Sequence, residues 1–372
     1  MTFKLWDFSD HRIQSIVFKL TEACNLACRY CYRQDVERTL AKMPLEVIEK
    51  SISSFIEWNK EKFNGTRTLY LIWHGGEPLV LGKEYFHGIY KIVDKYKKMG
   101  QKINTSFQTN ATLIDQEWVD FFKEHEIIIG ISIDGTKEVH DVHRMDRRGN
   151  SAFEKILNGI HLLRKNNYPY SGIGVLSNET VDQILDSFSF LVQEGFSIVD
   201  FIPCFLYDDP ATLDGKKYAS SVIKLYDYWK EHYEDKIRVR FLADIEDKIL
   251  GKAKSIGCEL AGYCGENFSI GTNGAVFPCE CISIFPEFCI GNINTNSFSE
   301  MLDGEAFEKW KHIVNCVDDR CINECPHFSI CRAGCFNRRY MPNGSVVMDR
   351  FCESRKAIIE HIKSKVSKPC LV

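Results

Sequence analysis

Three cysteines, Cys24, Cys28 and Cys31, stand in a C-x3-C-x2-C array near the start of the 372-residue chain. Thiolates at this spacing are metal ligands before they are anything else. A cube of four irons normally takes four cysteines, so three leave one iron open for another group to bind. A structural zinc knuckle would need a fourth Cys or His close by. The flanking histidines, His11 and His74, are not at knuckle spacing. A second concentration follows later: Cys258-x5-Cys264, then Cys279, then Cys321-x3-Cys325-x5-Cys331-x3-Cys335, and finally Cys352. Eight thiols suffice for two fully ligated cubes, and four thiolates also suit tetrahedral zinc.

The elements that must hold these thiols follow from the hydrophobic pattern. Residues 16–20 form a short apolar run that reads as a strand, which puts the first array on the loop leaving it. Strand-end loops carry the chemistry of (β/α) barrels. Strands are expected at 68–73, 102–108, 126–133, 171–176 and 198–203. Helices are expected at 44–58, 83–98, 151–165, 179–194 and 216–233. Pro44 suits an N1 position, and Asp115 caps the helix after the third strand. Asp208-Asp209-Pro210 marks a loop, and 238–250 bridges to the Cys-rich part. The pattern predicts an α/β fold: a partial (β/α)6 TIM-like barrel over 1–235, then a small Cys-rich iron–sulfur domain over 236–372.

Composition narrows the setting. Net charge is −4, which gives no electrostatic footprint for nucleic acid. No apolar run approaches the ~18 residues of a membrane span. The first ten residues lack a signal-peptide pattern. A cytoplasmic protein is expected, without membrane or nucleic-acid partners. There, sixteen cysteines, twelve of them from Cys258 onward, read as metal ligands rather than disulfides.

Several polar residues fall at predicted strand ends. Gly75-Gly76-Glu77-Pro78 follows the second strand, where glycines admit a close approach and a carboxylate accepts from an ammonium. Read alone, it is a turn. Gln108 and Asn110 end the third strand, Ser132 the fourth and Leu176 the fifth. Arg144 follows Ser132 by twelve residues and fits either a bidentate carboxylate contact or a surface pair with Asp141 or Asp146.

The C-x3-C-x2-C spacing, with Tyr30 before the third Cys, resembles the signature of the radical S-adenosylmethionine superfamily. The resemblance implies that Cys24, Cys28 and Cys31 hold a 4Fe-4S cluster whose open iron chelates S-adenosylmethionine. One electron from an external donor such as flavodoxin or ferredoxin then yields a 5′-deoxyadenosyl radical. Glu77, in what looks like the family's GGE motif, would hold the amino group, Ser132 the ribose and Arg144 the carboxylate. Tyr30, Gly75, Gly76, Pro78, Gln108, Asn110 and Leu176 would complete the cofactor site.

The later cysteines resemble the SPASM extension of that superfamily, including Gly274 five residues before Cys279. The resemblance implies one auxiliary 4Fe-4S cluster on Cys258, Cys264, Cys279 and Cys335. A second would sit on Cys321, Cys325, Cys331 and Cys352. The departure is Cys321-x3-Cys325, where the family usually has x2, with Cys316 a spare nearby. Cys204, Cys281, Cys289 and Cys370 have no assigned role.

Members of this branch act on peptides or proteins. Length and the Cys258-x5-Cys264-x14-Cys279 spacing are similar to the anaerobic sulfatase-maturating enzymes, which make formylglycine from Cys or Ser. Where those enzymes usually carry Tyr, Gln and Asp, this chain has Arg33, His74 and Glu280. Three departures in one pocket favour a ribosomal-peptide maturase forming a thioether or C–C crosslink, with formylglycine formation as the alternative. Glu280 is the candidate general base. Only about fifteen residues precede the first strand, so leader recognition would be absent or fall to the barrel, the Cys-rich part or a separate protein.

Overall fold

The computed structural model describes residues 15–33, 41–207, 212–252, 257–262 and 264–366. His11, Cys370 and the Asp208-Asp209-Pro210 loop lie outside them. β1 (Ser15–Lys19) is buried at every residue because it pairs on both sides. On one side is β2 (Leu69–His74), in parallel register with Ile16 opposite Leu71 and Phe18 opposite Trp73. Continuing outward are β3 (Ile103–Thr109), β4 (Ile128–Ser132), β5 (Tyr170–Leu176), β6 (Ile198–Pro203) and β7 (Arg238–Val239), all parallel.

On the other side of β1 lies β8 (Asn267–Ile270), also parallel. Beyond it come β9 (Ala275–Phe277) and β10 (Gly291–Asn292), both antiparallel to their neighbours. The six expected strands are present. The pattern misses β7 and β8: the first has two residues, and the second lies far along the chain from its partner. One sheet therefore runs from the barrel into the Cys-rich part, which sets Cys279 just beyond β9 beside the end of β1.

Helices α1 (Leu45–Phe63), α2 (Gly82–Lys98), α3 (Gln116–Glu124), α4 (Lys137–His140), α5 (Phe153–Lys165), α6 (Ile184–Gln193), α7 (Gly215–His232) and α8 (Arg240–Ile249) accompany the strands. Their apolar faces join the strands' buried residues in one core that continues into the Cys-rich part. Pro44 stands at the N-cap of α1, one place before the expected N1. Asp115 caps α3 through Trp118 N, as expected, and Asp214 caps α7. The Cys-rich part docks by specific contacts. Phe298 N donates to Ser54 Oγ of α1 at 2.7 Å, within a Ser297–Glu300 capping box. The helix Cys352–Val366 is tied to α7 through Ser354 Oγ to Gly215 O, 2.7 Å, and His361 to Asp227, 2.8 Å. Among the described residues no helix is long and apolar enough to cross a membrane.

Candidate active site

The strand ends build the site by pressing two loops together. Leu20 N donates to His74 O, Gly76 N to Thr21 O and Glu77 N to Ala23 O, all within 2.9 Å. Gly75 has φ +148°, and a Cβ there would overlap Thr21 O. A Cβ on Gly76 would overlap Ala23 O. The close approach that these glycines permit is thus to the backbone of the Cys24 loop. Glu77 is 1% exposed and staples this loop to the end of β3. It accepts from Leu79 N at 3.0 Å, Thr109 Oγ1 at 2.8 Å and Asn110 N at 2.7 Å. A carboxylate has about four lone-pair sites, so one remains for an ammonium. Burial pushes Glu77 up to about 7. Pro78 opens the short 3-10 turn that follows.

Cys24, Cys28 and Cys31 are half-buried thiols outside any disulfide. Leu26 N donates to Cys24 Sγ at 3.4 Å, and Asn110 Nδ2 lies 3.9 Å from the same sulfur. Asn110 also donates to Asn25 Oδ1 at 2.9 Å. Amide donors on sulfur favour the thiolate that a metal requires. The loop is pinned from below by Ala27 N to Met145 O, 2.8 Å, and Arg29 N to His143 O, 3.0 Å.

Asp134, which the sequence reading passes over, organises the opposite wall. It accepts from Tyr30 OH at 2.5 Å, Arg144 Nε at 3.1 Å and Val175 N at 2.9 Å. Burial opposes its charge, yet Arg144 and His140 hold Asp134 below the usual range. Arg144 is therefore buried on Asp134, not paired at the surface with Asp141 or Asp146. Those two instead bind Lys137 and the turn through Asn150. Gln108 Nε2 donates to Ser132 Oγ at 2.9 Å, in space that a Cβ on Gly130 would fill. Leu176 is buried at the end of β5, its carbonyl accepting from Cys204 N at 2.8 Å. Gln108, Asn110, Ser132 and Leu176 thus share the C-terminal edge of the sheet, where ligands of such sheets bind.

Glu280 faces this edge from the Cys-rich part. Lys19 Nζ, at the end of β1, donates to Glu280 Oε1 at 2.6 Å and to Tyr32 OH at 2.7 Å. Tyr32 OH donates to the same Oε1. Lys19 is 2% exposed. Burial opposes ionisation of Glu280, but Lys19 and the hydrogen bonds hold its carboxyl down to about 2. His74 Nδ1 accepts from Gly75 N at 2.8 Å and faces Lys19 Nζ at 3.3 Å. Burial and the nearby Lys19 lower His74 to about 4, so the ring is neutral. Arg33 is bidentate on Glu22, at 2.6 and 2.5 Å. The residue that meets Glu280 is Tyr32, not Arg33. Sequence reading passes over Lys19 and Tyr32. Their signals are a lysine closing an apolar strand and a tyrosine next to a motif cysteine.

The later thiols separate into two groups. Cys321, Cys325, Cys331 and Cys352 line one small cleft with Arg355 and Lys356. The x3 gap is accommodated: Cys321 sits in a short helix, Asp319–Asn323, Cys325 lies two residues past its end, and both line the cleft. Cys316 is exposed elsewhere and is not a wall of this cleft. Cys258, Cys264, Cys279 and Cys335 lie close enough to raise one another's thiol pKa. Burial and these neighbours push Cys258 up to about 12 and Cys335 to about 11. Cys281 hydrogen-bonds Cys279 and joins this group, which its position in sequence did not suggest. Cys204 is a buried core thiol, and Cys289 Sγ donates to Gly291 O at 3.3 Å.

The donor sets fit iron–sulfur clusters: three thiols at an open edge, and two sets of four. Among the described residues no three His, Cys, Asp or Glu side chains gather about one point, as ligands of a single metal ion do. Cluster thiolates bind separate irons instead.

Comparison with known proteins agrees with this division. Residues 18–191 match the family model of the radical SAM superfamily, and 258–335 match SPASM, an iron–sulfur cluster-binding domain. The chain is 30% identical over 359 residues to the cysteine-type anaerobic sulfatase-maturating enzyme of Clostridium novyi, covering 92% of this chain and 93% of that one. It is 25% identical to the serine-type enzyme of Bacteroides thetaiotaomicron, over 91% and 86% of the two chains. Among solved structures it is similar to native anSMEcpe with bound AdoMet and Cp18Cys peptide. That match has a TM-score of 0.85 at 25% identity and covers 95% of this chain and 98% of that one. The fold is also that of Streptococcus suis SuiB bound to precursor peptide SuiA, with a TM-score of 0.63 at 14% identity, over 92% and 76% of the two chains.

Proposed function

The chain belongs to the radical SAM superfamily, in the SPASM-bearing family of the anaerobic sulfatase-maturating enzymes, and from that membership we propose that it oxidises a Cys or Ser side chain of a protein substrate to formylglycine. It is a radical SAM enzyme of the peptide- and protein-modifying kind, and its cofactors are 4Fe-4S clusters and S-adenosylmethionine. The departures at Arg33, His74 and Glu280 favour a ribosomal-peptide crosslink on sequence alone. The relatives support the formylglycine alternative instead.

The observation that carries this reading is the Lys19–Tyr32–Glu280 cluster. A tyrosine hydroxyl and a carboxylate are paired here despite Arg33, because Tyr32 supplies the hydroxyl from the neighbouring position. When bound, the cofactors would supply hydrogen-atom removal at the Cys24–Cys28–Cys31 edge and electron acceptance at the two later thiol sets. Glu280 takes the proton that the substrate's thiol or hydroxyl loses as the second electron leaves, when that proton is strongly acidic. Ser then gives the aldehyde directly, and Cys gives a thioaldehyde that water hydrolyses with release of sulfide. Lys19 and Tyr32 both donate to Oε1, and Oε2 is the oxygen offered to the substrate's proton. Lys19 holds the carboxylate in place and keeps it ionised between turnovers. Glu77, Ser132 and Arg144 hold S-adenosylmethionine, and Gln108 orients Ser132. An external one-electron donor completes the reaction.

The test is anaerobic turnover with sulfatase-derived peptides carrying Cys or Ser at the modified position. Aldehyde capture by a hydrazide and mass spectrometry should report formylglycine together with 5′-deoxyadenosine. Turnover of S-adenosylmethionine without any aldehyde, but with a crosslinked precursor peptide, would return the assignment to the ribosomal-peptide reading.

A further inference from the structure

Between the two later thiol sets lies a quartet of charges, three of them buried, that the proposed reaction does not use. Asp349 is 4% exposed, Arg355 2% and Arg338 8%. Arg338 Nε lies 3.2 Å from Asp349 Oδ2, and Arg355 Nη1 lies 3.2 Å from the same oxygen. Glu259 closes the ring, bonded to Arg338 and 3.4 Å from Arg355 Nη2. Two cations and two anions cancel. Such a ring is costly to desolvate, and taking one member away leaves a buried charge unpaired.

Three of the four are tied to a thiol set. Glu259 follows Cys258 directly in the chain. Asp349 Oδ2 accepts from Cys335 N at 2.9 Å. Both contacts belong to the first set. Arg355 stands one turn beyond Cys352 on its helix, lines the second cleft, and directs Nη1 to Cys331 Sγ at 3.6 Å. Gly334, φ +74°, lies between them, and a Cβ there would overlap both Arg355 Nη1 and Asp349 Oδ2. The backbone gives up a side chain at the point where the two sets meet.

A cationic donor on a ligand sulfur favours the more negative, reduced state of a cluster, and so raises its potential. We propose that Arg355 is a positioning residue that raises the reduction potential of the cluster on Cys321, Cys325, Cys331 and Cys352, held on Cys331 by Asp349 and Glu259 from the neighbouring site. The inference rests on the cluster reading of the later thiols. Lys356 also lines the cleft, but its side chain is 35% exposed and its charge is screened by water. The contact, not merely a nearby charge, makes Arg355 different.

The experiment uses the full chain carrying Cys24→Ala, Cys28→Ala and Cys31→Ala, reconstituted anaerobically, so that only the later thiols carry iron. Iron and sulfide are counted, and each cluster is titrated by electron paramagnetic resonance. About eight irons per chain are expected. Adding Arg355→Gln should move the second cluster's midpoint to more negative potential, with a smaller change at the first. Arg355→Lys should recover part of the shift, and Lys356→Gln should move it least. In the parent protein labelled with ¹⁵N in the arginine guanidinium, pulsed resonance of the reduced second cluster should show nitrogen coupling. This last measurement does not depend on any variant folding. Full iron with no nitrogen coupling, or with midpoints unmoved by Arg355→Gln, overturns the role of Arg355 alone. A parent protein without iron at these thiols overturns the cluster reading, and the inference with it.

Discussion

The two thiol regions are built on plans that differ in how much fixed charge surrounds them. Around Cys24, Cys28 and Cys31 the walls are backbone amides and neutral side chains, the buried carboxylate of Glu77 and a single ion pair, Asp134–Arg144. Around the later thiols the walls are guanidinium groups and carboxylates: Arg338, Arg355, Asp349 and Glu259. The first plan leaves bonding capacity at an edge where a ligand must enter and leave. The second closes around its contents. A site that exchanges ligand has to keep lone pairs and space in reserve, whereas an electron-carrying site benefits from fixed charge and dry packing.

The largest effect that separates the regions is removal of the first. Cys24→Ala/Cys28→Ala/Cys31→Ala should abolish S-adenosylmethionine cleavage and lower bound iron from about twelve to about eight per chain, measured by iron and sulfide assay. Retention of about twelve would show that the three thiols hold no cluster. Next is the carboxylate at the seam. Glu280→Gln should lower product formation on the order of 10²–10⁴-fold, the range for a lost general base. Cleavage of S-adenosylmethionine should continue uncoupled, and product at the wild-type rate would remove Glu280 from the mechanism.

A smaller effect is set by pH. Glu77 titrates near 7 in the empty site, raised from 4.5 by burial. An ammonium needs the carboxylate, so S-adenosylmethionine affinity should fall as pH drops through 7, by up to about tenfold per unit. The fold itself responds with the opposite sign. An acid raised on folding binds its proton more tightly when folded, so the ligand-free protein gains stability from this group as pH falls from 7 toward 4.5. Calorimetric titration between pH 6 and pH 8 checks the first, and a flat affinity in Glu77→Gln would assign it to this residue. The smallest effect is Cys316→Ser. Its thiol donates to His312 O at 3.5 Å, away from the second cleft, so iron content and midpoints should be unchanged. Loss of about four irons would make Cys316 a ligand and Cys325 the bystander.

Much of this was legible in the chain. The six barrel strands, the Asp115 cap and the thiol spacing are local patterns, and local patterns survive folding. The strand β8 was not legible. Its pairing with β1 spans some 250 residues, as Ser15 Oγ to Asn267 Oδ1 illustrates at 2.8 Å, and no periodicity reports a partner that distant. The Arg33 departure was misleading for a related reason. Sequence position suggests that Arg33 replaces a tyrosine, but the guanidinium turns to Glu22 and Tyr32 takes the place beside Glu280. Lys19 reads as the polar end of a strand until β9 brings Glu280 to it.

The sequence by itself determined which atoms are available: three thiols with a vacancy, eight more at regular spacing later in the chain, and a glycine pair before a carboxylate. These are statements of type and spacing, fixed by covalent order. Tertiary structure alone decided which groups touch. It chose Asp134 rather than Asp141 or Asp146 for Arg144, Tyr32 rather than Arg33 for Glu280, and Cys325 rather than Cys316 for the second cleft. The physical reason is common to all three. A buried charge or ligand takes the partner whose geometry and desolvation are best, and that is settled by the packing of distant elements rather than by distance along the chain.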